Sequence, residues 1–131
     1  MTSSATPAEP ASPGDTLALR VGDLVVPPFP FSNPAKAKPR PAVVITVPDR
    51  YGDFVALALT SQAGHIGAVA LDAAGLSQGS LPKPSWIRPD KLYTFHTSVV
   101  GKHVATVRPE ELRAALALTC PAIGCIGAAA D

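Results

Sequence analysis

At 131 residues the chain has room for one ordinary domain, and a core of that size is adequate without covalent staples. Its 11 Lys or Arg against 10 Asp or Glu leave a formal net charge of +1, which excludes a polycationic coat for nucleic acid but allows a local basic patch. Fifteen prolines argue against a helical bundle, and no run of ~18 apolar residues offers a membrane span.

Residues 1–14 (MTSSATPAEPASPG) are Ser, Ala and Pro with little to bury, and are expected to be a disordered tail. They have neither the basic start nor the apolar stretch of a secretory signal. The domain is expected over 15–121, followed by an Ala/Gly-rich tail at 122–131.

Within the domain, Val-Gly-Asp-Leu-Val-Val near 21–26 predicts a strand, and Pro27, Pro28 and Pro30 suit an edge or a strand leaving the sheet. Residues 32–39 (SNPAKAKP) are a loop by composition. Arg40 to Val47 and Phe54 to Thr60 are short continuous apolar runs, typical of strands buried on both faces. Gly67 to Asp72 predicts a further strand, and Ala74 to Lys83 a loop. Pro84 to Phe95 alternates as a strand, with Pro89 marking an edge or bulge, and Lys102 to Val107 is the last strand. Pro109-Glu110-Glu111 opens a helix of about three turns, because Pro suits its first turn and carboxylates suit its positive end. Pro121 is expected to end it. Five or six short strands and one C-terminal helix point to a small β-barrel.

Most familiar chemistries find no support. His65, His96 and His103 lack ligand-spaced partners, so they read as surface or loop residues and no metal is expected. Cys120 and Cys125 are too few for a disulfide framework or a four-ligand zinc site, and read as small thiols, buried or in the tail. Neither a phosphate-binding Gly-rich loop nor a Gly-x-Ser-x-Gly elbow is present.

Two polar constellations remain. Arg40 heads one apolar run, while Thr60 and Ser61 end the next; antiparallel pairing would bring them to one rim of the sheet. Arg88 and Asp90, at i and i+2, share a strand face, although such a pair alone is more often an exposed ion pair.

The order of these pieces is informative. Gly-Asp-Leu-Val-Val, Lys-Pro-Arg-Pro-Ala-Val-Val-Ile, Ala-Leu-Thr-Ser-Gln, Lys-Pro-Ser-Trp-Ile-Arg-Pro-Asp-Lys-Leu and the Pro-Glu-Glu-Leu helix start together resemble the PemK/MazF family of type II toxin–antitoxin toxins. The resemblance spans roughly Gly22 to Thr119. It implies a mainly β, SH3-like small barrel with a C-terminal helix, shared with the CcdB/Kid/PemK-like toxins. It also implies a homodimer, a cognate antitoxin partner, and a metal-independent endoribonuclease that cuts single-stranded RNA; a cytoplasmic location is the default that composition sets, and no cofactor is expected. Carried over residue by residue, Arg40 and Thr60 match catalytic positions of the MazF branch, and Ser61 a position lining the RNA site. Arg88 and Asp90 match the Arg and Asp of the Kid/PemK branch. The Pro-rich loop before Arg40 departs from the Gly-rich loops of many members and lacks the His that some of them use.

The residue types suit RNA cleavage. A partly buried Asp90 would take the proton of a ribose 2′-OH, the guanidinium groups of Arg40 and Arg88 would hold the phosphorane charge, and the hydroxyls of Thr60 and Ser61 would place the phosphate. Trp86, Tyr93 or Phe29 would stack a base, and Lys36, Lys38, Arg50, Lys83 and Lys91 would attract phosphates. A non-enzymatic gyrase-binding toxin of the CcdB type and an inactive binding module are the alternatives.

Overall fold

The computed structural model describes residues 18–29 and 38–125. The expectations for the tail at 1–14, for Lys36 and for the last six residues lie outside them.

The strands are β1 (Asp23–Val25), β2 (Pro28–Phe29), β3 (Lys38–Pro39), β4 (Ala42–Val44), β5 (Asp53–Thr60), β6 (Val69–Leu71), β7 (Leu76–Gly79), β8 (Ser85–His96) and β9 (His103–Val107); the helix α1 spans Pro109–Ala122. Seven strands form one sheet in the order β6-β8-β5-β4-β1-β9-β7, and β2 pairs with β3 apart from it. The two outermost strands, β6 and β7, are neighbours in sequence. From Leu71 to Leu76 is five residues, which span at most ~18 Å. The sheet must therefore curl until its edges approach, giving a mainly β half-barrel with one C-terminal helix.

Alternation fills both faces. Leu24, Val43, Leu57, Leu59 and Ile87 pack with Leu112 and Ala115 of α1 in one core cluster. Their chain neighbours Val25, Ala42, Val44 and Ala56 pack on the other face, with Phe29 of the small hairpin, Phe54 and Phe95. A strand with both faces covered reads as an unbroken apolar run, as β4 and β5 do. Pro27 lies where the chain leaves the seven-stranded sheet. β1 itself is no edge, being seated between β4 and β9.

Four expectations are corrected. The 74–83 segment is not all loop, since Leu76–Gly79 forms β7; Leu-Ser-Gln-Gly has no β-branched residue, and its strand character comes from pairing with β9. The helix passes through Pro121 to Ala122 and closes at Gly124, whose φ of 77° suits a helix-terminating residue. Cys120 and Cys125 are joined in a disulfide, which is possible because the reversal at Gly124 brings their Cα atoms to 5.0 Å. His103 is no surface residue: it lies half-buried on β9, its Nε2 3.3 Å from the buried carboxylate of Asp23 and 3.1 Å from the hydroxyl of Thr106. The same carboxylate accepts the backbone N–H of Arg20 at 2.9 Å and the Thr106 hydroxyl at 3.3 Å, so its burial is compensated.

Candidate functional site

Sheet register assembles the predicted residues. β4 and β5 pair antiparallel, with Ala42 opposite Ala58, and the Leu59 N–H reaches the Pro41 carbonyl at 3.1 Å one step further on. That step brings Arg40 level with the end of β5. On the other side of β5, Thr60 lies opposite Trp86 of β8. Paired residues share a face, so Thr60 and Trp86 lie on the face that carries Ala42, Ala58 and the Phe29 cluster.

β8 carries the second constellation in a bulge. Leu57 pairs with Leu92 and Leu59 with Ile87, so Arg88, Pro89, Asp90 and Lys91 all stand opposite Ala58. Proline at position 89 has no N–H to give to a ladder, and bulges commonly redirect side chains beside functional sites. Arg88 Nη2 and Asp90 Oδ2 are 3.6 Å apart, the ion pair expected from their spacing. Asp90 is exposed rather than partly buried, and such a pair contributes under ~1 kcal/mol to folding.

A cavity of about 350 Å³ opens at the rim where β3, β5 and β8 end or begin. Arg40, Thr60, Ser61, Lys38 and Lys83, all expected from the sequence, line it. Arg88, Asp90 and Trp86 do not; they stand further along β8. Phe29 is no stacking platform, being buried edge-on against Tyr93 and Phe95 at centroid distances of 4.7 and 5.3 Å. Arg50 lies over the ring of Tyr51 in the turn before β5, and Lys91 is exposed in the bulge.

The cavity wall holds three cations (Lys38, Arg40 and Lys83) and, among the described residues, no carboxylate. Its ligand is therefore expected to be an anion. Two buried hydroxyls face it in opposite senses. Thr60 Oγ1 accepts the backbone N–H of Gln62 at 3.1 Å, which fixes the side chain and leaves its proton for an acceptor in the cavity. Ser85 Oγ donates to the Lys83 carbonyl at 3.1 Å, so it presents lone pairs. Ser85, Gln62, Leu81 and Pro82 were not anticipated as site residues. Ser85 is legible only through the Thr60–Trp86 register, and residues 81–83 carry no sequence signal beyond loop composition. Among the described residues no group of three His, Cys, Asp or Glu side chains is placed to hold a metal ion, and no helix is long and apolar enough to cross a membrane.

Comparisons with solved structures find the same architecture in other proteins. MazF from Deinococcus radiodurans matches with a TM-score of 0.66 at 20% identity, over 81% of this chain and 96% of that one. An endoribonuclease in complex with its cognate antitoxin, from a mycobacterial species, matches with a TM-score of 0.62 at 18% identity, over 82% and 96%. The Mycobacterium tuberculosis toxin MazF-mt6 gives 0.61 at 15% identity, over 77% and 95%. Identities this low establish the fold. The family follows from sequence: residues 20–118 match the model of the PemK-like, MazF-like toxin of type II toxin–antitoxin systems, and the chain belongs to that family. No curated protein sequence matches it.

Proposed function

We propose that this chain is the toxin of a type II toxin–antitoxin pair and an endoribonuclease that cleaves single-stranded RNA by attack of a ribose 2′-OH, without a metal ion. The observation that carries the reading is the cavity wall of three cations and, among the described residues, no carboxylate, with the Thr60 hydroxyl held in place to donate.

The roles follow from the chemistry of each side chain. Asp90 accepts the 2′-OH proton as the 2′-oxygen attacks phosphorus. The guanidinium of Arg40 and the Thr60 hydroxyl hold the phosphorane oxygens at the cavity, and Arg88 adds charge from the bulge while orienting Asp90. A guanidinium keeps its charge in proteins, so both arginines act as electrostatic partners and not as proton donors. The bond from phosphorus to the 5′-oxygen breaks, and that oxygen takes a proton from water. One fragment carries a 2′,3′-cyclic phosphate and the other a 5′-OH. DNA resists because it lacks the attacking hydroxyl. Ser61, Lys38 and Lys83 attract the strand at the cavity, and Trp86 offers a half-buried ring beside Thr60.

A homodimer and a cognate antitoxin belong to the same proposal. They are supported by the family and by a solved relative described as an endoribonuclease bound to its antitoxin.

The test is purified, antitoxin-free protein on end-labelled RNA with EDTA present. Cleavage leaving cyclic phosphate ends, lowered ~100- to 10,000-fold in Asp90→Asn, is the expected result. Strict metal dependence would refute the mechanism. Failure to cut any RNA would favour a gyrase-binding or inactive module.

A further inference from the structure

A second cavity, of about 260 Å³, lies beside the first. Leu81, Pro82 and Lys83 line both, so a single three-residue segment is the wall between them. Leu71 and Leu76, both core residues, form its floor, and the exposed Ala73 and Ser80 also line it. Asp72 is the carboxylate in its wall; one oxygen accepts the N–H of Ala74 at 3.0 Å.

We propose that this second cavity receives the nucleoside next to the one whose phosphate is held at Arg40 and Thr60, with Lys83 contacting the phosphate that links the two. The proposal rests on the ribonuclease reading above. Consecutive nucleosides of a strand are separated by one phosphate, and here two adjoining cavities are separated by one segment bearing one cation. The volume lies below the range of drug-sized sites, which suits a single base with its sugar. Leucine and proline walls suit the apolar faces of a base. Asp72 repels a phosphate at the far side and offers its second oxygen to an exocyclic amine, which favours cytosine, adenine or guanine over uracil. The pocket is thus a determinant of sequence preference, distinct from the residues that act on the scissile phosphate.

The experiment measures binding without cleavage. A fluorescein-labelled 2′-O-methyl RNA dodecamer of mixed sequence, and a set in which each base in turn is replaced by an abasic residue, are titrated by anisotropy against the full chain. The same titrations are made with Ala73→Trp and Ser80→Trp. Each tryptophan would plug the cavity from a different element, and melting curves establish that the variants fold. The expected result is a ~10- to 100-fold loss of affinity in both variants, the scale of losing one buried base. One abasic position should cause the same loss in the unsubstituted protein and no further loss in either variant. Unchanged affinity in both variants, or losses that add at every abasic position, overturn the second site alone. No binding of the dodecamer by the unsubstituted protein overturns the ribonuclease reading and the second site with it.

Discussion

Thr60→Val isolates one hydroxyl with little other change. Valine keeps the β-branched shape favoured in a strand, and the position is buried at the end of β5, where an apolar group of similar size is accommodated. The folding cost comes from the Gln62 N–H, which loses its 3.1 Å acceptor; Gln62 is exposed and water replaces the bond, so the loss stays below ~1 kcal/mol. The catalytic cost is larger. The N–H of Gln62 fixes Thr60 Oγ1 before substrate arrives, and removing one such preorganised donor costs ~100- to 1,000-fold in rate, about 2.7–4 kcal/mol. Single-turnover cleavage of labelled RNA, beside a thermal melt of each protein, separates the two costs. Thr60→Ser retains the hydroxyl and should stay within ~10-fold of the unsubstituted protein. Cleavage by Thr60→Val within about threefold of the unsubstituted rate, with an unchanged melt, would refute the donor role assigned from this geometry.

Arg40→Ala should lose ~100-fold or more in cleavage rate, and Arg40→Lys should be impaired as well, because an ammonium cannot make the forked contact; full activity in the lysine variant would remove the bidentate role. Gly79→Ala should destabilise the fold by ~1–3 kcal/mol in urea melts, since Gly79 has φ 78° and an added Cβ meets the Val104 carbonyl across the β7–β9 pair. Reducing the Cys120–Cys125 disulfide should cost about 2 kcal/mol in the same assay, the entropy of a loop with a sequence separation of 5, and Cys120→Ser should reproduce it.

The apolar runs at 42–44 and 54–60 and the proline-led helix were legible because burial on both faces, and a proline and carboxylates in a helix's first turn, leave local signatures. Arg40 and Thr60 were legible too, since a tight antiparallel connection brings the start of one strand beside the end of the next. β7 was not. Leu-Ser-Gln-Gly carries no strand propensity, and its pairing with β9 is a property of the closed sheet. Lys83 was legible as a phosphate-attracting residue, but its place between two cavities was not, since that depends on how residues 81–83 cross the rim. Asp23 and His103 escaped for a similar reason: 80 positions apart in sequence, they meet because β1 and β9 are paired. The disulfide required a chain reversal after Pro121 that composition does not announce.

β1 is the first strand of the large sheet to be synthesised and lies inside it, between β4 and β9. Until residues 103–107 have left the ribosome, β1 keeps one open edge, β7 lacks its neighbour, and Asp23 is without two of its partners. Partial chains should therefore be inert and protease-sensitive, with acquisition of structure delayed to the end of translation. Pairings this distant also predict refolding on the millisecond-to-second scale. If the proposed ribonuclease activity holds, such a delay would keep a nascent chain from acting on the message that encodes it. Chains arrested at Lys102 and probed by limited proteolysis should be digested throughout; protection of residues 38–60 at that length would show that the sheet does not wait for its last strand.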